Sequence, residues 1–328
     1  DNGILFEKDL KKAEEFYLKS AELGHPDSLV NLGFSYENEK ELNYNINKAI
    51  ELYEKAGNLG STDAFITLGY LYNQGNKVEQ NYTKSNEYFK KAADLGSPEG
   101  FLSLGLNFLF GRGYEKDFNE AIELIEKAGK LGSAEAFNTI GLIYFDGNEV
   151  EQDYSTANEY FKKAADLGLP SAFYNLGNSY ANGLGVVQDY NKANELFQIA
   201  ADLDDPDATY TLGINYAYGN GFQQDYKMAF ELLEKAANLG SAEALNQLGI
   251  FYLNGKGVDQ DSVKAFKYFK KAANLGLPVA FYNLGNAYAY GEGVEQDYNK
   301  AMKMFKKADE LGYTNANSRL NQTEEEEL

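Results

Sequence analysis

The sequence contains no cysteine and only one histidine, His25. Without cysteine the chain can form no disulfide, no thiol nucleophile, no Cys-x-x-Cys redox motif and no cysteine-ligated zinc site. A single histidine cannot build a multi-histidine metal centre, and a histidine-based triad could exist only around His25. That residue lies between Gly24 and Pro26, so we interpret it as part of a surface linker. We predict no enzyme activity, no cofactor and no metal site.

Positive charge is also scarce, because 30 lysine and arginine residues face 50 aspartate and glutamate residues. The formal net charge is −20 with histidine neutral. Proteins bind nucleic acid largely by neutralising phosphates with lysine and arginine, so this balance argues against a nucleic-acid partner. No apolar run reaches the roughly 18 residues that a membrane span requires. The composition predicts a soluble protein that does not insert into a membrane.

Proline is rare, and its five copies share one position of an internal repeat of 36 residues. Eight units follow one another without insertion, and the sixth residue of each unit is glycine. Residues that keep their phase at this period are typical of stacked-repeat proteins. We therefore predict eight repeats over residues 28–315. The units begin at Ser28, Ala64, Gly100, Ala136, Ala172, Ala208, Ala244 and Ala280.

Each unit is predicted to form two helices, A and B. In the fifth unit, small and apolar residues recur at 172, 176, 177 and 180, which is one face of a helix. Gly183 and Gly185 should end helix A, because glycine adopts a positive φ without a Cβ penalty. Asp189 should cap helix B by accepting backbone N–H bonds. Asp or Asn fills this capping column in every unit, at Asn45, Asn81, Asp117, Asp153, Asp189, Asp225, Asp261 and Asp297.

The glycine at the sixth position lies inside helix A, where it costs roughly 0.5–1 kcal/mol relative to alanine. We interpret this column as the point where helices A and B approach so closely that a Cβ atom would clash. The aromatic residue three positions later, such as Tyr72 or Tyr180, is expected to fill the space beside the contact. These patterns together predict an all-α protein of helix–turn–helix repeats.

The eighth unit shows the repeat motif most fully. From Ala280 to Gly312 it contains Ala-x-x-x-Leu-Gly-x-x-Tyr-x-x-Gly-x-Gly-Val-x-x-Asp-x-x-Lys-Ala-x-x-x-Phe-x-x-Ala, followed by Asp309 and Gly312. This motif resembles the Sel-one-like repeat family, a relative of the tetratricopeptide repeats. The resemblance covers residues 28–315 and implies a right-handed α/α solenoid whose A helices line a concave groove. It also implies a role as an adaptor or scaffold in protein complexes. The branch of the family with a disulfide in each repeat is excluded by the absence of cysteine.

The two ends are expected to cap the array. Residues 1–27 should contain a lone helix of the B type over residues 9–24, and residues 316–328 should begin another A helix at Ala316 and Leu320 before an acidic tail. Polar ends keep a repeat array soluble. The chain begins at Asp1 without methionine, from which we expect processing or trimming, and a removed signal peptide leaves secretion open.

The A helices carry the predicted partner-binding residues. Positions 1, 2, 5, 6 and 9 of each unit should form the core, so positions 3, 7, 10 and 11 should point into the groove. Repeated Asn can hydrogen-bond the backbone of an extended peptide, and Tyr supplies a broad contact with few torsions to freeze. The assigned residues are Tyr70, Asn73, Leu106, Phe110, Asn138, Tyr174, Asn178, Tyr210, Tyr218, Asn246, Tyr282, Asn286 and Tyr290. We expect a protein or peptide partner, and the excess of negative charge favours a basic one.

Alternative interpretations exist for several of these features. Some groove aromatics could pack between repeats, and relatives in the family suggest a receptor for small cell-wall fragments or a module for homotypic assembly. The cluster of Asp204, Asp205 and Asp207 could bind calcium, although an acidic linker is favoured because the ladder of a calcium-binding loop is missing. Segments such as Gly219-Asn220-Gly221 follow helices and recur, so we interpret them as turns and not as phosphate-binding loops.

Overall fold

The computed structural model describes residues 15–20, 23, 25–38, 44–316 and 319. Within these residues every regular element is helical: a segment at 15–20 is followed by sixteen helices between residues 26 and 310. The A helices are α1 (Pro26–Glu37), α3 (Thr62–Gln74), α5 (Pro98–Phe110), α7 (Ala134–Asp146), α9 (Pro170–Asn182), α11 (Pro206–Tyr218), α13 (Ala242–Asn254) and α15 (Pro278–Tyr290). The B helices are α2 (Ile46–Asn58), α4 (Tyr82–Asp94), α6 (Phe118–Lys130), α8 (Tyr154–Asp166), α10 (Tyr190–Asp202), α12 (Tyr226–Asn238), α14 (Ser262–Asn274) and α16 (Tyr298–Glu310).

The chain divides into two compact units, Asp1–Gly168 and Leu169–Leu328. The first unit contains α1–α8 and the second contains α9–α16. Inside each unit every A helix packs against the B helix that follows it, and that B helix packs against the next A helix. The predicted all-α class and the helix–turn–helix repeat are confirmed.

Short polar side chains and glycines fix the ends of the helices, as predicted. The Asp189 carboxylate accepts the backbone N–H of Lys192 over 3.0 Å at the start of α10, and the capping residue does the same on all eight B helices from α2 to α16. Gly183 ends α9 with φ +69°, in the left-handed region that favours glycine. The predicted Asp/Asn capping column is confirmed.

Asp204 takes the place of the glycine that follows the other B helices. It is the one described residue other than glycine with a positive φ, at +59°. Its carboxylate lies 3.1 Å from Nζ of Lys235, and the next residue, Asp205, caps α11 by accepting the backbone N–H of Ala208 over 2.8 Å. The acidic linker therefore forms the turn between α10 and α11.

The glycine inside each A helix lies against a large side chain of the following B helix. A Cβ atom on Gly69 would meet the ring of Phe89, and one on Gly249 would lie 2.5 Å from Cε1 of Phe269. The close helix contact inferred from the sequence is therefore present. The ring that faces the glycine comes from the residue twenty positions later, whereas the aromatic three positions later, such as Tyr72, stacks on Tyr88 with centroids 5.9 Å apart.

The described parts of the chain ends are short. Residues 15–20 are helical, and Ala316 is fully buried beside Phe305 and Ala308 of α16. The remainder of the predicted N-terminal helix, together with Leu320 and the acidic tail at 324–328, lies outside the described residues. Division of the chain into two caps and eight repeats stays a prediction.

Candidate functional site

The thirteen predicted partner-binding residues lie on A helices and differ in how far they reach solvent. Four are exposed: Tyr70 at 40%, Phe110 at 45%, Tyr218 at 61% and Tyr290 at 52%. Eight are partly buried: Asn73, Leu106, Asn138, Tyr174, Asn178, Tyr210, Tyr282 and Asn286. We call these twelve residues the A-helix surface. The first five in sequence belong to the first compact unit, and the other seven belong to the second.

Asn246, the thirteenth residue, is buried and does not belong to this surface. Its side chain is 7% exposed, and its Oδ1 accepts a hydrogen bond of 2.7 Å from Nδ2 of Asn283. Asn283 lies on the next A helix, α15, so the amide of Asn246 is used in the contact between α13 and α15. A residue of the next repeat covers Asn246, and the position of Asn246 within its own helix does not predict this.

Three tyrosines of the A-helix surface rest on the rings that face the repeat glycines. The pairs are Tyr70–Phe89, Tyr174–Phe197 and Tyr282–Phe305, with ring centroids 5.2, 5.7 and 5.6 Å apart. The phenylalanines are almost completely buried. Aromatic pairs at 4.5–7 Å attract each other beyond their buried area, so each tyrosine ring is held in place before any partner arrives. Some aromatics of the A-helix surface thus pack against the following B helix.

Tyr70 lies in an acidic cleft of the first compact unit. The cleft has a volume of about 620 Å³, and its lining includes Tyr70, Leu102 and the carboxylates of Asp63, Glu99 and Glu135. The Tyr70 hydroxyl is 3.3 Å from Oγ of Ser103. Burial raises the pKa of Tyr70, and the nearby Glu99 carboxylate raises it further. The acids stand in the first turns of α3, α5 and α7, where a carboxylate is stabilised by the helix dipole.

Buried asparagines connect successive repeats beneath the first-unit surface. Nδ2 of Asn107 donates to Oδ1 of Asn86 over 2.6 Å, and Nδ2 of Asn86 donates to the carbonyl of Arg112 over 2.8 Å. Asn73 of the A-helix surface lies at the edge of this chain, with its Nδ2 3.5 Å from Oδ1 of Asn107. This hydrogen-bond network was not predicted from the sequence. It could have been suspected, because Asn194 and Asn215 occupy the same two repeat positions as Asn86 and Asn107. Nδ2 of Asn215 donates to Oδ1 of Asn194 over 2.7 Å.

Tyr210 on α11, in the second compact unit, lies near the carboxylate of Glu243, which also acts on Asp207. Burial raises the pKa of Tyr210 most, and the neighbouring Glu243, Tyr218 and Tyr174 raise it further. Burial also raises the pKa of Asp207, with added repulsion from Asp205 and Glu243. These shifts arise because each ionised form would be poorly hydrated and close to another negative charge. A cation at this place would offset the repulsion between the carboxylates.

Arg319 lies on the tyrosines of α15. Its guanidinium carbon is 5.5 Å from the ring centroid of Tyr290, and hydrogen bonds to the hydroxyls of Tyr282 and Tyr290 raise its pKa. Sequence analysis did not identify this contact. Arg319 occupies the fourth position of the segment that begins at Ala316, and Ser103, the fourth residue of the repeat that begins at Gly100, likewise meets a tyrosine of the preceding A helix, Tyr70.

The described residues hold neither a metal-binding cluster nor a long apolar helix. No group of three or more His, Cys, Asp or Glu side chains in the described ranges is placed to hold a metal ion. No helix among the described residues is long and apolar enough to cross a membrane. His25 precedes α1, and its side chain makes no capping hydrogen bond. The A-helix surface itself consists of aromatic rings, amides and one leucine, and the carboxylates of Asp63, Glu99 and Glu135 lie beside Tyr70.

A family model described as "Sel1 repeat" matches nearly the whole chain. The matched segments are residues 1–25, 26–61, 68–97, 102–133, 140–169, 170–205, 206–241, 242–277 and 278–313. No curated protein sequence matches.

Solved structures show the same similarity. A Sel1 repeat protein from Oxalobacter formigenes is 32% identical with a TM-score of 0.73, and the match covers 94% of this chain and 90% of that one. A protective antigen present in uropathogenic Escherichia coli strains, which displays an SLR fold, is 28% identical with a TM-score of 0.67. That match covers 95% of this chain but only 66% of the antigen. Yeast Tom70 is 17% identical with a TM-score of 0.52 over 92% of this chain and 64% of its own, a likeness of fold alone.

Proposed function

This chain belongs to the Sel1 repeat family, and from that premise we propose that it is a scaffold or adaptor that binds an extended segment of a protein partner on its A-helix surface. Sel1 repeat proteins generally mediate protein–protein interaction, and the family is typically a non-catalytic scaffold fold. The observation that carries the proposal is the set of three surface tyrosines held by buried phenylalanines.

Held aromatic rings suit a binding surface because little entropy is lost on association. Ordering a mobile side chain costs about 0.5–1.5 kcal/mol in a complex. The rings of Tyr174 and Tyr282 are already fixed by Phe197 and Phe305. Tyrosine also offers a broad apolar face and a polar hydroxyl, which is why it is enriched where proteins bind one another. The tyrosines therefore act as anchors for the partner.

Amides beside these anchors select an extended backbone. Asn178 and Asn286 are partly buried on α9 and α15, four residues after Tyr174 and Tyr282. Each primary amide can donate to a peptide carbonyl and accept from a peptide N–H.

Charge favours a basic partner. The chain carries a net charge of −20, and carboxylates of Asp63, Glu99 and Glu135 line the cleft beside Tyr70. Opposite charges on the two partners accelerate their encounter, and salt weakens that attraction. We expect the rate of association with the partner to fall as ionic strength rises.

The proposal is tested by combining four changes, Tyr174→Ala, Asn178→Ala, Tyr282→Ala and Asn286→Ala. The chain offers a matched control, because Tyr190, Asn191, Tyr298 and Asn299 provide the same residue types at the start of B helices in the same two repeats. Proteins captured from native lysate by the immobilised wild-type chain are identified and quantified for each variant. The first variant should lose the captured partner, and the control variant should retain it.

Photo-crosslinking locates the contact independently of any loss of folding. A photoreactive phenylalanine analogue replaces Tyr218, which is 61% exposed on an A helix, or Tyr190, which is 43% exposed on a B helix. The partner should form an adduct from position 218 and not from position 190. Equal capture by both quadruple variants, or adducts only from position 190, would refute the assignment of the surface.

A further inference from the structure

The contact of Arg319 with Tyr282 and Tyr290 shows which kind of side chain two tyrosines of an A helix can bind. Tyr282 and Tyr290 lie eight residues apart on α15, and the guanidinium of Arg319 lies over the ring of Tyr290 while it bonds to the hydroxyl of Tyr282. A planar guanidinium can stack on an aromatic face and donate several hydrogen bonds at once. This arrangement is an arginine-binding cradle that the chain fills with its own side chain.

A second pair of tyrosines stands at the same repeat positions. Tyr210 and Tyr218 of α11 precede Tyr282 and Tyr290 by two repeats. Both lie on α11, eight residues apart as Tyr282 and Tyr290 are on α15, and Tyr218 is 61% exposed. The backbone geometry of α11 and α15 is alike, since both begin at proline and end at a left-handed glycine. The second pair therefore repeats the side chains that hold Arg319.

The two pairs differ in charge. The residue that corresponds to Arg319 beside Tyr210 is Gln247, which is neutral. The residues that correspond to Asn315 and Val279 are Glu243 and Asp207. Glu243 acts electrostatically on both Tyr210 and Asp207. The pair on α11 thus has two carboxylates that the pair on α15 lacks, and it has no arginine of this chain in the equivalent place.

We propose that Tyr210, Tyr218 and Glu243 bind an arginine side chain of the protein partner. The proposal rests on the function proposed above and specifies one residue type that the partner must present. Tyr218 supplies the aromatic face, Tyr210 supplies a hydroxyl that accepts an N–H bond, and Glu243 supplies the opposite charge, with Asp207 adding to it. Arginine fits better than lysine because its flat group both stacks and donates several bonds in a fixed geometry.

The test uses a defined probe on the full chain. Acetyl-Gly-Arg-Gly-amide is titrated into protein with isotope-labelled tyrosine rings, and the ring resonances are assigned by substitution. Saturable shifts at Tyr210 and Tyr218 are expected. Acetyl-Gly-citrulline-Gly-amide keeps the planar shape without the charge, and it should bind about tenfold or more weakly. Absence of a response to the arginine probe, or an equal response to both probes, would overturn the proposal.

Variants separate this site from general attraction to an acidic chain. Glu243→Gln and Tyr218→Ser should each weaken the arginine probe, whereas Glu231→Gln removes the same charge from an exposed position on α12 and should not. Arg319→Gln introduces the residue found at 247 and should empty the cradle on α15. In that variant Tyr290 should begin to respond to the probe. A response of Tyr290 that is identical with and without Arg319 would contradict the model of a self-filled cradle.

The outcome also distinguishes this inference from the proposed function. If no arginine binds but the partner is still lost when Tyr174, Asn178, Tyr282 and Asn286 are changed, the cradle is wrong and the A-helix surface stands. If arginine binds at Tyr218 but those four changes leave the captured partner unaffected, the cradle stands and the surface as a whole is wrong.

Discussion

Phe197 faces Gly177 so closely that a Cβ atom on the glycine would lie 2.5 Å from Cε1 and 2.7 Å from Cδ1 of the ring. Real Cβ contacts at such a distance do not occur, and the ring is nearly completely buried. Glycine at this position weakens α9 as a helix, but its missing Cβ atom lets α9 and α10 approach closely, and the resulting packing offsets that cost. In the sixth repeat the corresponding residue is Leu233, and a Cβ atom on Gly213 would lie 3.1 Å from its Cγ.

We expect Gly177→Ala to lower the free energy of unfolding by about 1–3 kcal/mol, because the new methyl group overpacks the contact with Phe197. Gly213→Ala is the matched control, since the leucine there needs to move by only a few tenths of an ångström. Its cost should be close to zero, because alanine gains about 0.8–1 kcal/mol of helix propensity. Urea denaturation of both variants measures the difference, and equal losses at the two sites would contradict this explanation.

The cap residue Asp153 should make stability depend on pH. Hydrogen bonds from the hydroxyl and backbone N–H of Thr156, and from the backbone N–H of Ser155, lower its pKa below the usual 3.8. A carboxyl whose pKa is depressed in the folded state stabilises the protein above its unfolded pKa, and this contribution is lost as the pH falls through the folded pKa. Asp153→Asn keeps a capping oxygen that does not titrate, as Asn81 shows by accepting from Lys84.

The advantage of the wild type over Asp153→Asn should therefore be largest near pH 7 and shrink as the pH falls below about 4. The stability difference is measured from the thermal unfolding midpoints of both proteins at pH 7, 5, 4 and 3, at the same ionic strength. Other groups titrate alike in the two proteins, so their effects cancel in the comparison. A difference that stays constant over this series would show that the cap does not depend on the charge.

The buried pair Asn86 and Asn107 should behave as a unit. Asn107→Leu removes the donor to Oδ1 of Asn86, whose side chain is 2% exposed. An acceptor left buried without a partner costs about 1–3 kcal/mol. The double variant Asn86→Leu with Asn107→Leu should lose less stability than the sum of the two single losses, because neither side chain is then left without the other and only the carbonyl of Arg112 loses its donor. The equivalent positions of the next repeat hold Ile122 and Ile143. Additive losses in a double-mutant cycle would exclude such coupling.

Asp204→Gly should stabilise the chain slightly. A residue with a Cβ atom at φ +59° is strained by about 1 kcal/mol relative to glycine. The ion pair with Lys235 is exposed at both ends, and such pairs contribute about 0–1 kcal/mol. We expect a net gain of about 0.5 kcal/mol in urea denaturation at 0.5 M salt, where the ion pair is screened. A loss of stability under these conditions would mean that the side chain of Asp204 does more than pair with Lys235.

Helix boundaries could be predicted from local residues because each boundary depends on chemistry within one turn. Asp189 accepts the N–H of Lys192 three residues away, and Gly183 adopts its positive φ without help from any other repeat. The close contact at Gly177 could also be inferred, because a costly residue that recurs at one position needs a packing reason. The identity of the ring opposite it, Phe197, required knowledge of how α9 and α10 align.

The A-helix surface could be predicted only in part. A helical period places Tyr174 and Asn178 on one side of α9, but it does not reveal what the following repeat places over them. Asn246 has the same repeat position as Tyr174 and is covered because Asn283 of the following A helix bonds to it. Arg319 likewise reaches the tyrosines of α15 from the segment that follows α16. Whether a side chain on an A helix reaches solvent therefore depends on the residue that lies about one repeat later in the sequence.

The amino-acid sequence by itself determined that this protein is a series of 36-residue helix pairs whose ends are set by capping residues and glycines. Capping, glycine conformation and the apolar period all act within a few residues. The tertiary structure alone decided which tyrosines are held by buried rings, which amides the next repeat covers and which tyrosines Arg319 contacts. The physical reason is that burial and charge at each of these sites depend on side chains from a neighbouring repeat, whose approach is governed by packing and not by local propensity.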